Sequence, residues 1–218
     1  MTPRYHGFGE RDAYHHGNLR EALIEAVLRL IAEHGPAGFS YADVARAAGV
    51  SPAAPYRHFR DRDALLAEVA RRGFERFAAD LEAAWNEGRP DPAAALEACG
   101  RAYLAFAHCE PASFSAMFGS AVAPETDPGL NAAADRAFAV LRRAAEAVSA
   151  TYPDPNRPPA LMVALHTWAT AHGIASLFVG PGRQRRALPI KPEELLEADL
   201  LIYLRGLAAP LGRPGSAS

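Results

Sequence analysis

A short segment near the N-terminus carries the side chains of this sequence that are best suited to binding. Hydrogen-bond donors are frequent within seven residues there, and they include Tyr56, Arg57, His58 and Arg62. Tyr56 and Phe59 are three residues apart, so on a helix they share one face, where Phe59 fills a small core and the Tyr56 hydroxyl reaches outward. Such donors bind phosphate oxygens, and an arginine such as Arg57 also binds O6 and N7 of guanine as a two-pronged donor.

Motifs for catalysis are missing from the sequence. None of GxSxG, GxxxxGK[ST], GxGxxG or HExxH occurs, and Gly7-Phe8-Gly9 begins like a glycine-rich loop but follows no predicted strand. Cys99 and Cys109 are too few for a disulfide framework and too far apart for a CxxC motif. We therefore predict that the protein is not an enzyme and needs no cofactor.

A metal site is the alternative use of the remaining ligand-type side chains. They are His108, Cys109, Glu110, His166 and His172. None of them has the tight spacing of a zinc motif, so the sequence predicts no metal site.

Helices must position the donor-rich segment. Apolar residues step by three and one through residues 18–34, which predicts an amphipathic helix. Ser40 can cap a second helix that ends at Gly49. A third helix is predicted to begin at Pro52, since proline is harmless at a first helical position, and a fourth runs from Asp61 to about Gly88.

Two short helices joined by a tight turn and braced by a preceding helix form a helix-turn-helix, here at about residues 40–59. The runs Phe39–Ser51, Pro52–Phe59 and Asp61–Leu66 closely resemble the DNA-binding domain of the TetR family of repressors. The resemblance covers roughly residues 15–66 and is specific, because a Tyr-x-His-Phe core followed by a basic residue and a Leu-Leu pair rarely occurs by chance. It implies a DNA-binding regulator.

The resemblance and the chemistry of the side chains together predict which residues contact DNA. They are Ser40, Tyr41, Ser51, Pro52, Ala53, Ala54, Tyr56, Arg57, His58 and Arg62. Tyr56, His58 and Arg62 are expected on phosphates, and Arg57 is expected to read a base.

Pro55 departs from an ordinary recognition helix, because it removes a backbone N–H and should tighten or delay the start of the third helix. Ala53 and Ala54 beside it leave few hydrogen bonds for base recognition. Part of the specificity should then come from DNA shape and from an N-terminal arm. The basic side chains of that arm are Arg4, Arg11, His15, His16 and Arg20.

The C-terminal half is predicted to be helical as well. Helical periods separated by proline and glycine indicate helices at about 92–109, 111–118, 128–151, 159–179 and 192–208. We therefore predict an all-α fold, with a three-helix DNA-binding domain at residues 1–63 and a helical effector-binding and dimerisation domain at residues 64–218. The segments 103–107, 114–119 and 167–177 resemble a TetR subgroup with a Trp-His-Gly signature.

An apolar effector and a second copy of the chain are the predicted partners of this half. Aromatic and thioether side chains form the predicted pocket, although each could also belong to the core: Tyr103, Phe106, Phe114, Met117, Phe118, Trp168 and His172. The last two helices are expected to pair across a two-fold axis through Ile174, Leu177, Phe178, Leu195, Leu196, Leu200, Leu201, Tyr203 and Leu204.

Composition bounds these expectations. The chain has 218 residues and a formal net charge of -2, so any DNA-binding surface must be a local patch. No apolar run long enough for a membrane span and no leader pattern is seen, which favours a cytoplasmic protein. The predicted function is a ligand-responsive homodimeric repressor that binds a palindromic operator and is released by a small effector. The alternative is an architectural DNA-binding protein that responds to no effector.

Overall fold

A computed structural model describes residues 10–119, 122, 124, 127–154, 157–178 and 189–208, with the side chains of residues 10–18 and 208 left out. Eight α-helices form this part of the chain: α1 (Glu10–His34), α2 (Tyr41–Ala47), α3 (Arg62–Trp85), α4 (Pro92–Cys109), α5 (Pro111–Gly119), α6 (Pro128–Ala150), α7 (Ala160–Phe178) and α8 (Pro192–Ala208). Two 3₁₀ turns, Pro55–Arg57 and Asn86–Gly88, complete it. The predicted all-α fold is confirmed.

Side-chain caps start several of these helices. Ser40 and Asp43 form a capping box at α2, in which the Ser40 backbone N–H donates to Asp43 Oδ2 at 2.9 Å and the Asp43 N–H donates to Ser40 Oγ at 3.2 Å. Asp91 caps α4, which then begins with proline. Gly49 follows α2 with φ +70°, a left-handed conformation that glycine adopts without steric cost. The cap predicted at Ser40 is therefore confirmed.

The third helix differs from the prediction. Residues 52–54 form turns and a bend, and the recognition segment (residues 51–59) contains the 3₁₀ turn Pro55–Arg57 in place of an α-helix. A single bond reaches four residues back, from the Phe59 N–H to Pro55 O at 3.0 Å. The Arg57 N–H donates to Ala54 O at 3.2 Å and the His58 N–H donates to Pro55 O at 3.0 Å, both three residues back. Since Pro55 has no N–H to donate to Ser51 O, an α-helix starting at Pro52 would lack its first bond. The expected delay is confirmed, and the expected α-helix from Pro52 is wrong.

The chain divides into two compact units, which are described separately. The N-terminal unit consists of Met1–Gly73 and Ala112–Leu130, and the C-terminal unit consists of Phe74–Pro111 and Asn131–Ser218. The division falls within α3, and α5 belongs to the N-terminal unit. The predicted boundary after residue 63 stays a prediction, because close packing alone does not define which part folds by itself.

Apolar residues from α1, α2 and α3 form the core of the N-terminal unit. The fully buried members are Leu23, Val27, Ile31, Val44, Leu65 and Leu66. α5 packs closely against α3 at Gly73, where an added Cβ would lie 2.7 Å from Met117 Sδ. A side chain at position 73 would require Met117 to move.

Helices α4, α7 and α8 pack against one another in the C-terminal unit. Gly100 on α4 brings the two backbones close, because a Cβ there would lie 2.9 Å from Leu196 Cδ2 on α8. α7 is long and apolar enough to cross a membrane by length and composition, a test that core helices of soluble proteins also pass. Its buried face includes Val163, Thr167 and Ala171.

Candidate nucleic-acid interface and effector cavity

The recognition segment has one exposed face and one buried face. Ser51, Pro52, Ala53 and Arg57 are exposed, and Tyr56 has 61% of its surface exposed. Ala54 and His58 are half-buried, and Ser40, at the start of α2, is exposed. Pro55 and Phe59 point into the core of the unit and anchor the segment. All ten predicted contact residues are thus exposed or half-buried, and Tyr41 and Arg62 differ from the others in their bonds to backbone carbonyls.

Tyr41 is turned towards the protein. Its hydroxyl donates to the Phe59 carbonyl at 2.9 Å, and its ring meets the Tyr56 ring edge-on with centroids 4.9 Å apart. Burial, with smaller contributions from Tyr56 and Asp61, raises the pKa of Tyr41 to about 12, so the hydroxyl keeps its proton at neutral pH. Tyr41 therefore supports the exposed Tyr56 from behind.

Arg62 is also engaged within the unit. Its Nε donates to the Phe39 carbonyl at 3.0 Å, and a terminal nitrogen donates to the Pro36 carbonyl. The guanidinium lies over the Phe39 ring, 4.6 Å from the centroid. These contacts tie the start of α3 to the loop between α1 and α2.

The predicted N-terminal arm is described only in part. Arg4 and the side chains of Arg11, His15 and His16 lie outside the described residues. Arg20 forms an ion pair of 2.9 Å with Glu68 and lies over the Phe59 ring at 5.2 Å. It is held against α3 in this structure.

Glu68 is the centre of an ion-pair network that sequence reasoning missed. It accepts hydrogen bonds from Arg71 and Arg72 at 2.8 Å each, and Arg72 also binds Glu21 on α1. Burial by itself raises the pKa of Glu68, but the hydrogen bonds from Arg71, Arg72 and Arg20 outweigh it and lower the pKa to about 2. The spacing of Glu68 from Arg71 and Arg72, three and four residues, could have predicted ion pairs along α3. The contact of Arg72 with Glu21 on α1 could not be predicted from spacing.

An apolar cavity lies inside the C-terminal unit. Its volume is about 20 Å³, room for roughly one water molecule. Four helices supply the lining: Phe74, Phe77 and Leu81 from α3, Cys99, Gly100 and Tyr103 from α4, Ala137, Phe138 and Leu141 from α6, and Thr167, Trp168 and Ala171 from α7. A drug-sized ligand would have to move side chains of the wall.

The polar atoms around the cavity already have partners. The Tyr103 hydroxyl is 2.8 Å from His172 Nδ1, and the Thr167 hydroxyl donates to the Val163 carbonyl at 2.9 Å. Burial raises the pKa of Tyr103, raises that of Cys99 to about 12 and lowers that of His172. All three groups are neutral at pH 7, so the lining presents hydrocarbon and aromatic surface without charge.

The structure separates the predicted pocket residues into two groups. Tyr103 and Trp168 line the cavity, and Phe106 packs behind its wall with its ring 5.1 Å from that of Phe77. Phe114, Met117 and Phe118 lie on α5 in the N-terminal unit, where Phe114 and Phe118 pack with centroids 5.0 Å apart. Sequence reasoning missed Phe74, Phe77 and Leu81 as lining residues, because they read as the apolar stripe of a long helix.

Exposed apolar side chains occur on α7 and α8. The larger ones are Leu161, Met162, Leu165 and Leu177 on α7 and Leu201 and Ile202 on α8. Gly173 is exposed, and none of the described residues comes within 4 Å of the position that a Cβ would take there. Ile174, Leu196 and Leu200, which were expected on the dimer face, are buried within the chain. The face that another molecule could cover is therefore a neighbouring one on the same two helices.

Comparison with known proteins identifies the family. Residues 23–69 match the model of bacterial regulatory proteins of the tetR family, and residues 96–201 match the tetracyclin repressor-like C-terminal domain. The chain belongs to the TetR family. It is a DNA-binding transcriptional regulator and not an enzyme, as the helix-turn-helix motif predicted. The narrower assignment to the Trp-His-Gly subgroup stays a prediction.

Individual relatives agree with this assignment. A protein of unknown function from Rhodococcus sp. RHA1 is 31% identical, with a TM-score of 0.71 over 96% of this chain and 100% of that one. The TetR family regulator PfmR from Thermus thermophilus is 24% identical and shares the fold, with a TM-score of 0.62 over 88% of this chain and 99% of that one. The regulator BetI of Agrobacterium fabrum is 42% identical over 52 residues, which are 24% of this chain and 25% of BetI. That match thus spans about a quarter of the curated relative.

Proposed function

We propose that this TetR family regulator is a homodimeric repressor that binds a partly palindromic operator and releases it when a small, uncharged, largely apolar effector enters the cavity. The observation that carries the proposal is the composition of the cavity wall, in which every polar side chain is neutral and already bonded. An apolar ligand would give up no hydrogen bonds with water on entering the cavity. An ion would lose its hydration and meet no opposite charge.

The recognition segment supplies the proposed DNA contacts. Tyr56 and His58 bind phosphates, and Arg57 reads a guanine in the major groove. Ser40, Ser51, Pro52, Ala53 and Ala54 lie against the DNA, where the short side chains permit close approach. Because the segment offers few hydrogen bonds to bases, DNA shape supplies part of the specificity.

The exposed apolar side chains of α7 and α8 support the proposed dimer. Met162, Leu165 and Leu177 occupy positions on α7 that a helix brings to one side, and Ile202 on α8 has 72% of its surface exposed. A second copy that covered these residues would form a four-helix seam around a two-fold axis. The two recognition segments would then reach successive major grooves, about 34 Å apart.

A binding experiment tests the proposal. The full chain is used to enrich a duplex from a random DNA pool, and uncharged aromatic or aliphatic compounds are screened by thermal shift. Compounds that raise the melting temperature should release the enriched duplex in fluorescence anisotropy, with charged analogues of the same size inactive.

The competing function is that of an architectural protein without an effector. It predicts binding to most duplexes with little preference and no compound that causes release. That result would contradict the repressor proposal while leaving DNA binding intact. The proposal also places the protein in the cytoplasm, where it would bind its operator.

A further inference from the structure

Arg62 lies three residues after the Tyr-x-His-Phe core, and it was expected on a DNA phosphate. We propose instead that Arg62 is a positioning residue, which holds the recognition segment in its DNA-reading geometry by fastening the α1–α2 loop to the start of α3. The inference rests on the proposed mode of DNA binding. It concerns the division of labour among the basic side chains of the N-terminal unit.

The contacts of Arg62 occupy both the edge and the face of its guanidinium. Two nitrogens donate to the backbone carbonyls of Phe39 and Pro36, and the Phe39 ring covers one face. The side chain is only 27% exposed. Arginine presents a rigid planar fork, so the two carbonyls fix its orientation as well as its position. A phosphate contact would have to compete with these bonds.

The loop that Arg62 binds leads directly into α2. Phe39 is buried and precedes Ser40, the residue that caps α2. Arg62 is the first residue of α3. The recognition segment lies between these two helices in the chain, so the guanidinium fixes the elements that enter and leave it. The bond from the Tyr41 hydroxyl to the Phe59 carbonyl is a second tie of the same kind.

Arg57 provides the contrast within the same segment. It is exposed, and it lies on the segment that carries Tyr56 to the surface. A charge in that position is available to DNA without breaking a bond to a backbone carbonyl. The geometry therefore leaves Arg57 available to contact a base, whereas Arg62 holds the elements on either side of the recognition segment.

Salt dependence separates the two roles of Arg62. Affinity is measured for Arg62→Lys and wild type over a series of salt concentrations, using the duplex enriched from the random pool and a scrambled duplex of equal length. Lysine keeps the charge but not the fork, so we expect about a tenfold loss of affinity for the enriched duplex, comparable with removal of one hydrogen bond of a charged group. Affinity for the scrambled duplex and the salt slope should stay at their wild-type values.

Direct binding of Arg62 to a phosphate predicts the reverse pattern. Arg62→Lys would then bind both duplexes almost as wild type, and Arg62→Ala would weaken both alike and lower the salt slope by about 0.9 for each phosphate that is no longer neutralised. That pattern would overturn the proposal. If the wild-type protein binds the enriched and the scrambled duplex equally well, the proposed function fails. That outcome is seen without any Arg62 variant, so it differs from failure of the proposal about Arg62.

Arg29→Ala is the matched control for loss of folding. Arg29 donates to the Ala47 carbonyl at 3.3 Å, so the variant also removes an arginine-to-carbonyl bond from the same unit. We expect Arg29→Ala to retain the preference for the enriched duplex, with thermal melting showing that all variants are folded at the assay temperature. An equal loss of preference in Arg29→Ala would mean general loosening of the unit and would also overturn the proposal.

Discussion

The residues predicted to contact DNA differ in whether they are exposed or bonded to the protein itself. Tyr56 and Arg57 are exposed, whereas Tyr41 donates to Phe59 and Arg62 donates to the α1–α2 loop. Residue type alone does not distinguish these cases, because a tyrosine or an arginine suits either role. The motif predicts where the DNA-binding surface lies, and the hydrogen bonds show which of the predicted residues are bonded within the protein.

Replacement of Arg57 by alanine tests the proposed base contact. We expect Arg57→Ala to reduce discrimination at one base position by about 1 to 3 kcal/mol, because a bidentate bond to guanine is removed. Tyr56→Phe serves as the comparison, since it removes one phosphate donor and should weaken binding to all duplexes alike. Repeating the enrichment from the random pool with each variant measures the change. An Arg57→Ala consensus identical to that of wild type would rule out the base contact.

At the scale of elements, the sequence predicted the helices of the C-terminal half within about one residue. Proline or glycine stands near most of the boundaries, as at Pro92, Pro128 and Pro192, where α4, α6 and α8 begin. The first helix begins at Glu10 and not at residue 18, because the apolar stripe starts later than the helix. Periodicity locates the face of a helix that is buried, but it does not say which helix covers that face.

The apolar side chains of α5 show why residue type alone does not identify the lining of a cavity. Phe114, Met117 and Phe118 have the same apolar character as the cavity lining, yet they pack within the N-terminal unit. Only the three-dimensional arrangement decides between these two destinations. Tyr103 and Trp168 line the cavity together with Phe138, whose ring lies 5.0 Å from that of Trp168. Their role in binding an effector stays a prediction.

The network around Glu68 gives a prediction for the attachment of α1 to α3. Glu68→Gln should lower the free energy of unfolding by about 1.5 to 3 kcal/mol at pH 7, because the arginines then donate to a neutral amide oxygen in place of a carboxylate. The pKa of Glu68 is lowered from 4.5 to about 2, so its stabilisation is present above pH 4.5 and is lost as the pH falls towards 2. The difference between variant and wild type should therefore shrink over that range.

Urea unfolding at a series of pH values between 7 and about 2.5 measures this difference. Glu33→Gln is the control, since Glu33 is an exposed glutamate on α1 outside the network. A destabilisation by Glu68→Gln that stayed constant down to pH 2.5 would show that the carboxylate charge is not its source.

At the scale of the whole molecule, dimer formation is the first requirement of the proposed function. Met162→Glu would place an unpaired carboxylate in the seam, which costs several kcal/mol when buried and should raise the dissociation constant of the dimer more than 100-fold, by order of magnitude. Ala139→Glu, on an exposed position of α6, is the control for an added charge. Sedimentation at micromolar concentration should find the Met162→Glu variant monomeric and the control dimeric. A dimeric Met162→Glu would place the seam elsewhere.

Coupling between effector and operator is the second requirement, and α3 is the element that can carry it. The helix is continuous from Arg62, at the end of the recognition segment, to Trp85, and its residues Phe74, Phe77 and Leu81 line the cavity. If the proposed effector is larger than the present cavity, we expect it to displace Phe74, Phe77 or Leu81 and with them the part of α3 that carries these residues. In a dimer, a shift of a few ångströms in the spacing of the two recognition segments is enough to spoil the match to successive grooves.

Thermodynamic linkage makes this coupling measurable in both directions. The factor by which a compound from the thermal-shift screen weakens binding of the enriched duplex must equal the factor by which that duplex weakens binding of the compound, and factors of about 5 to 150 are typical. Trp168→Ala should weaken binding of the compound and leave the affinity for DNA in its absence near the wild-type value. Phe106→Ala is the control, because Phe106 lies behind the wall and should affect folding more than binding of the compound. Equal affinities of wild type and Trp168→Ala for the compound would place its binding site outside this cavity. Filling of the cavity would then not explain a movement of α3.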